Sequence, residues 1–153
     1  MLMVDVEVKI NNKGLEKELA LMQKMANASV KIGIQSDAGK HKESGVYVAD
    51  IAIWNEFGTD KIPPRPFIRQ CFADNQGLVE KYLQRVVLNV ANGSDIKLEL
   101  ARLGLWYENK QKYTLRHYPW KENSKATKKR KKSSKPLIDT SQLVNSIRYQ
   151  VEV

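Results

Sequence analysis

Three prolines between residues 63 and 66 constrain the backbone of this chain more than any other feature of its sequence. Proline fixes φ, lacks an N–H donor and disfavours the helical conformation of the residue before it, so this segment takes an extended path. Apolar residues at helical spacing predict an α-helix on either side, over residues 46–57 and 67–91. Gly58 is expected to end the first helix in the left-handed conformation. The chain therefore turns between two helices.

The remaining pattern predicts the fold class. Alternation of apolar and polar residues indicates three β-strands, and helical spacing indicates two further helices and a short helical turn. The strands are residues 4–10, 30–34 and 147–153; the helices are residues 13–27 and 96–113; the turn is residues 141–145. A length of 153 residues fits one domain. We expect an α+β domain, with a small antiparallel or mixed sheet of about three or more strands packed against about four helices and a long basic loop.

The basic charge of the chain is concentrated in residues 121–136, which we call the basic segment. The chain has 26 basic and 17 acidic residues, and seven of the basic ones lie close together here with no acid among them. They are Lys125, Lys128, Lys129, Arg130, Lys131, Lys132 and Lys135. Like charges repel and no large apolar residue lies among them, so the segment is expected to be a flexible loop. Its charge suits DNA phosphates or an acidic protein surface, or serves solubility alone.

The cysteine, histidine and glycine residues of the chain do not form the patterns typical of catalytic, metal-binding or phosphate-binding sites. The single cysteine, Cys71, excludes a disulfide framework and a cysteine-based zinc site, and His41 and His117 have no partner at ligand spacing. The glycines are scattered singly, which gives no phosphate-binding loop. We therefore expect no enzyme, cofactor or metal. No apolar stretch is long enough for a membrane span and no secretory signal is visible, which indicates synthesis in a cytoplasm.

Two segments of the chain carry specific sequence motifs. Residues 53–59 read IWNEFGT and residues 62–69 read IPPRPFIR; together they form what we call the proline motif. Pro119-Trp120 precedes the basic segment, and residues 135–147 read KPLIDTSQLVNSI, which we call the closing motif. In this order the two motifs resemble the tail-completion and virion-morphogenesis proteins of long-tailed bacteriophages and prophages. In that family an "NEFGT" run ends a helix and leads to an "IPxRPF" turn, and "PLIDTGxLxxSI" precedes the last strand.

The resemblance implies a structural function. Such proteins form a ring, typically sixfold, at the head-proximal end of the tail or at the neck. The ring completes the tail and joins it to the head connector around the DNA channel. The partners expected are other copies of the chain, a tail terminator or tail-tube protein and a head–tail connector protein, together with non-specific contact with genomic DNA in the channel. The expected location is the virion, after synthesis in the host cytoplasm, and a free sheet edge is expected to pair with a neighbouring subunit or ring.

One residue departs from the family pattern. The family commonly has Gly where this chain has Ser141. Serine does not take a positive φ as readily as glycine, so the turn at this position is expected to be more helical. Asp139 or Thr140 is expected to cap it.

The proline motif is expected to supply a protein interface. Prolines reduce the entropy lost on docking, and aromatic and arginine side chains dominate interface energetics. The expected interface residues are Phe57, Thr59, Ile62, Pro63, Pro64, Arg65, Pro66, Phe67 and Arg69. The alternative is that Phe67 belongs to the core and both arginines are solvated. The residues expected to close the loop back onto the sheet are Trp120, Leu137, Ile138, Asp139, Thr140 and Leu143.

The function of the basic segment has two interpretations within this family and one alternative outside it. The segment either lines the channel and contacts DNA phosphates, or reaches an acidic surface of a neighbouring protein, which we favour because it lies beside motifs that resemble contact elements. The rival function is that of a small basic nucleic-acid-binding protein that uses residues 125–135. In that case Tyr113, Tyr118 and Trp120 would stack on bases.

Overall fold

The computed structural model describes residues 12–131, 134–138 and 141–153. In chain order the helices are α1 (Lys13–Asn27), α2 (Val48–Phe57), α3 (Phe67–Ala91), α4 (Ile96–His117), α5 (Lys125–Arg130) and α6 (Gln142–Asn145), and the strands are β1 (Ser29–Ile34) and β2 (Ile147–Glu152). A 3₁₀ turn, Ser36–Ala38, follows β1. The fold is α+β, as the sequence predicts. The described residues contain six α-helices and a two-stranded sheet rather than about four helices and three or more strands.

The sheet joins the two ends of the described chain. β1 and β2 pair antiparallel, from Ser29 opposite Glu152 to Ile34 opposite Ile147. Both strands were predicted from their alternating residues; the strand predicted over residues 4–10 lies outside the described residues. Both strands pack on α4, where the ring of Tyr149 lies over Gly104. A Cβ at Gly104 would lie 2.5 Å from a ring carbon, so only glycine fits there.

Helices α3 and α4 form a long hairpin. Its core is a cluster of Val86, Val90, Ile96, Leu100 and Leu103. The Asp95 carboxylate caps α4 by accepting the backbone N–H of Leu98 at 2.9 Å. One detail corrects the sequence prediction: α4 runs to His117 rather than to residue 113.

A second core cluster holds the remaining elements together. It contains residues from α2, the start of α3, the end of α4, the closing motif and the start of β2: Val48, Ala52, Phe67, Leu115, Trp120, Leu137, Leu143, Val144 and Ile147. Segments far apart in sequence therefore share one apolar centre. The proline motif and the closing motif both supply residues to it.

Helix α1 is present where it was predicted, but its apolar stripe is not buried. Leu15, Leu19 and Met22 are each more than half exposed, whereas Leu21 and Met25 pack against the core of the α3–α4 hairpin. The helix therefore presents an apolar face to its surroundings.

The basic segment also differs from expectation. Lys125–Arg130 form α5 rather than a loop, with the Ser124 side chain accepting the backbone N–H of Thr127. The cap and the position of three cations in the last turn offset the mutual repulsion of the charges. No residue of α5 is buried.

Candidate functional site

The proline motif folds into a tight turn between α2 and α3. Gly58 ends α2 with φ of +80°, and a Cβ there would lie 3.0 Å from the Ile62 carbonyl oxygen and from the Pro64 ring. Thr59 then closes the turn, because its N–H donates to the Ile62 oxygen at 2.8 Å and its side-chain oxygen accepts the Ile62 N–H at 3.1 Å. The predicted helix stop at Gly58 is confirmed.

The carboxylate of Glu56, in the same motif, caps α3 from a distance. It is 4% exposed and accepts the backbone N–H groups of Ile68 and Arg69 at 2.9 and 3.1 Å. The Arg69 side chain bonds to it as well, Nε to the carboxylate at 3.0 Å and Nη2 to the Glu56 carbonyl at 2.7 Å. A negative charge at a helix N-terminus is stabilising. Glu56 therefore fixes the direction in which α3 leaves the turn.

Arg65 is buried, which corrects its assignment to an exposed interface. The side chain is 3% exposed and donates from Nε to the Lys121 carbonyl at 2.8 Å. Its terminal nitrogens donate to the Asn55 side chain at 3.4 Å, the Glu122 carbonyl at 3.3 Å and the Asn123 side chain at 3.0 Å. All of these partners are neutral oxygens, and burial lowers the pKa of the guanidinium. Arg65 thus ties the proline motif to the start of the basic segment.

Phe67 is also internal, so the alternative assignment to the core is correct for this residue. Its side chain is fully buried in the second core cluster, because the first turn of α3 is held against that cluster by the Glu56 cap. The alternative was wrong for Arg65, which is not solvated, while Arg69 is largely exposed.

The other predicted interface residues lie at or near the surface. Phe57, Thr59, Pro64 and Arg69 are exposed, and Ile62, Pro63 and Pro66 are partly buried. The Arg69 guanidinium lies over the Phe57 ring, 4.8 Å from its centroid. Their part in an interface stays a prediction.

The closing motif folds against the same core. Trp120, Leu137 and Leu143 are buried and Ile138 is partly buried, whereas Asp139 and Thr140 lie outside the described residues. The Trp120 indole N–H donates to the Leu115 carbonyl at 3.1 Å. Because the ring is buried and its donor is used, Trp120 does not offer a stacking face for a base.

Ser141 has the conformation that glycine would take. Its φ is +61°, in the left-handed region, immediately before α6. The expectation of a more helical turn was therefore wrong. The serine adopts the left-handed geometry at an energetic cost of roughly 1 kcal/mol.

The basic segment presents its cations to the outside. Lys125, Lys129 and Arg130 are exposed, as is Lys135. Lys128 forms an ion pair with Glu122 at 2.6 Å, which lowers the pKa of that carboxyl below its usual value. The Lys131 ammonium donates to the Pro136 carbonyl at 2.8 Å, and Lys132 lies outside the described residues. The cations therefore form a solvated surface rather than an internal network.

A cleft of about 1100 Å³ lies between the proline motif and the basic segment. Its lining comprises the turn at residues 59–65, residues 121–124, one side of α5, Ile51 and Asn55 of α2, the loop residues His41, Glu43 and Ser44, and Leu137 and Leu143 of the closing motif. The cleft is a consequence of the Arg65 bonds, since these hold the two long walls at a fixed separation.

Sequence spacing does not identify three of the residues that build this site. Glu56, Asn55 and Asn123 make the bonds that fix Arg65 and Arg69. Glu56 caps a helix that begins eleven residues later, so no local capping pattern could have identified it. Asn123 also donates to the Pro136 carbonyl at 3.2 Å across the basic segment.

The single thiol of the chain is buried. Cys71 is fully buried in α3, and burial raises the pKa of its thiol, which disfavours the thiolate. Within the ranges that the structure describes, no three His, Cys, Asp or Glu side chains cluster so as to hold a metal ion. Likewise, none of the helices described combines the length and the hydrophobicity that a membrane span requires.

No family model matches this sequence, and neither a curated protein nor a solved structure is significantly similar to it. The motifs and their geometry are thus the basis for a functional hypothesis.

Proposed function

We propose that this chain is a structural protein of a long-tailed bacteriophage, located at the head-proximal end of the tail or at the neck. It forms a ring of identical copies, most simply a hexamer, that completes the tail and joins it to the head connector around the DNA channel. Its neighbours are a tail terminator or tail-tube protein and a head–tail connector protein. It acts by binding, without catalysis.

The observation that carries this proposal is the amount of apolar surface left exposed by a chain with two well-packed core clusters. Large apolar side chains are exposed on all four of the longer helices: Leu15, Leu19 and Met22 on α1; Ile53, Trp54 and Phe57 on α2; Phe72, Leu83, Val87 and Leu88 on α3; Leu98 and Leu105 on α4. On α1 the three exposed side chains are spaced i, i+4 and i+7 and so form one contiguous apolar face, which is uncommon on a monomer and typical of a subunit contact.

Exposed apolar faces on different helices support a ring in particular. A closed head-to-tail ring needs two different patches on each subunit, one for each neighbour. We assign these two patches to the exposed apolar residues of α1 and α3. The exposed ring of Phe57, held under Arg69, adds an aromatic and arginine pair of the kind found at interface hot spots.

The two motifs support the family assignment because they form one structural unit. Arg65 from the proline motif bonds the chain just after Trp120, and Phe67 shares a core cluster with Leu137 and Leu143. Each motif therefore has a reason to occur with the other. The sheet of three or more strands, with residues 4–10 as the third strand, and the pairing of its edge with a neighbour remain part of this proposal.

The test is the mass of the purified protein in solution, alone and with tail-tube and connector components added. We expect a closed assembly of several 17.5 kDa chains, seen as rings by electron microscopy. Phe72→Asp, on the exposed face of α3, should dissociate it, whereas Asn109→Asp on the exposed side of α4 should not. A protein that stays monomeric in every mixture would contradict the proposal.

The exposed cations of α5 favour a second candidate, a small basic nucleic-acid-binding protein. Lys125, Lys129 and Arg130 are accessible to phosphates, and Tyr113 is exposed beside His117. Submicromolar binding of DNA that survives 200 mM salt would favour this candidate over the structural one; no such binding is expected.

A further inference from the structure

The cleft between the proline motif and the basic segment has the size of a binding site. Its volume of about 1100 Å³ is slightly above the usual range for small-molecule pockets, about 300–1,000 Å³. It is partly open to solvent and lies between the turn at residues 59–65 on one side and residues 121–131 on the other. A cleft of this form admits several residues of an extended chain.

Three cations at the cleft have no ion-pair partner in the part of the chain that the structure describes. They are Lys61 in the turn, Lys121 before α5 and Arg130 at the end of α5. The lining carboxylates are Glu43, Asp60 and Glu122, and Glu122 is already paired with Lys128. The buried guanidinium of Arg65 adds a further positive charge with only neutral oxygens around it. The cleft therefore has an excess of positive charge and favours an anionic occupant.

The rest of the lining identifies the kind of anion. Apolar side chains lie among the charges, including Ile51, Ile62 and Leu143, and they suit an apolar side chain of the occupant. None of the described residues that line the cleft is Phe, Tyr or Trp, so a single-stranded nucleic acid would find no surface there on which its bases could stack. A duplex presents mainly phosphates and sugars at its outer surface, which leaves the apolar part of the lining without a partner. An extended peptide satisfies both the charged and the apolar parts.

We propose that this cleft binds an extended acidic segment of a neighbouring protein, with at least one apolar side chain seated between the turn at residues 59–65 and the closing motif. The inference rests on the proposed function, because the segment would belong to the adjacent tail or neck protein. Lys61, Lys121 and Arg130 pair with its carboxylates. Arg65 is a positioning residue, since its hydrogen bonds join the two walls and its side chain is itself buried.

The probe for this site is a fluorescein-labelled peptide of sequence EELEELEE, titrated with the full chain in low salt and followed by anisotropy. Lys121→Ser combined with Arg130→Ser should weaken binding about tenfold, the effect of losing two partly exposed charge pairs. These changes leave the backbone oxygens that bond Arg65 in place. The matched control, Lys81→Ser with Lys97→Ser, removes two exposed cations from α3 and α4 and should bind like the original chain.

Three results would overturn the inference. They are equal loss of binding in both double variants, equal binding of a peptide with glutamine in place of glutamate, and displacement of the peptide by a 20-residue single-stranded oligodeoxynucleotide at lower concentration than by unlabelled peptide. The mass of each variant separates this inference from the proposed function. A ring that does not bind the peptide defeats the cleft alone, whereas a monomer that binds it defeats the ring alone.

Discussion

The proline motif and the basic segment lie against each other but use their charges in opposite ways. In the proline motif, Glu56 and Arg65 are buried and make several hydrogen bonds each, so charge organises the interior. In the basic segment, the cations of α5 are exposed, and the helix is held by one serine cap and one ion pair. Charge is structural where polar groups surround it and is available to a partner where they do not.

The difference in burial also shows which of the two regions determines the position of the other. Arg65 reaches out of the proline motif to the backbone of the basic segment, but no residue of α5 enters a core. The turn of the proline motif therefore fixes the position of the basic segment, whereas α5 does not stabilise the turn. This hierarchy predicts large effects for changes in the turn and small ones for changes in α5.

The largest effect is expected for Arg65→Met. Methionine keeps much of the volume but removes every donor, so the oxygens of Asn55 and Asn123 and two backbone carbonyls lose a charge-assisted partner. We expect the free energy of unfolding in urea to fall by about 3 kcal/mol. Amide hydrogen exchange over residues 121–124 should become faster, because the bonds that hold them are lost.

The matched control is Arg69→Met. Arg69 is largely exposed and its main partner, the Glu56 carboxylate, keeps two backbone donors without it. The loss should be about 1 kcal/mol, with exchange over residues 121–124 unchanged. Equal losses in the two variants would show that the burial of Arg65 has no special role and would remove the proposed hierarchy.

Local patterns predicted the elements whose causes are local. The alternation in β1 and β2, the helical spacing in α3 and the glycine stop at residue 58 all depend on neighbouring residues, and they are found where expected. The exposed stripe of α1 shows the limit of such patterns. Spacing identifies an apolar face but does not say whether the same chain covers it.

The candidate site was predictable only in part. The two motifs were singled out, but Arg65 and Phe67 were assigned to a surface because their burial depends on contacts with residues more than forty positions away. The roles of Glu56 and Asn123 depend on tertiary geometry, and no periodicity carries that information.

A small increase in stability is expected for a substitution at Ser141, which follows the basic segment in sequence. Ser141 has a positive φ, so Ser141→Gly should remove strain and raise the free energy of unfolding by up to about 1 kcal/mol. Ser146→Gly is the control, because Ser146 has an ordinary helical φ and its hydroxyl donates to the Gln142 carbonyl at 2.8 Å. The control should be less stable than the original chain. A loss of stability in both variants would mean that Ser141 is not strained.

The smallest effect on folding is expected for the simultaneous change of Lys125, Lys129 and Arg130 to serine. None of the three side chains is buried, and none makes an ion pair within the described residues. Removing them relieves repulsion but also removes favourable charges from the last turn of α5, so the two contributions nearly cancel. Urea unfolding should show a change in the free energy of unfolding below about 0.5 kcal/mol. If the free energy of unfolding fell as much as for Arg65→Met, α5 would have to stabilise the turn, which would contradict the proposed hierarchy.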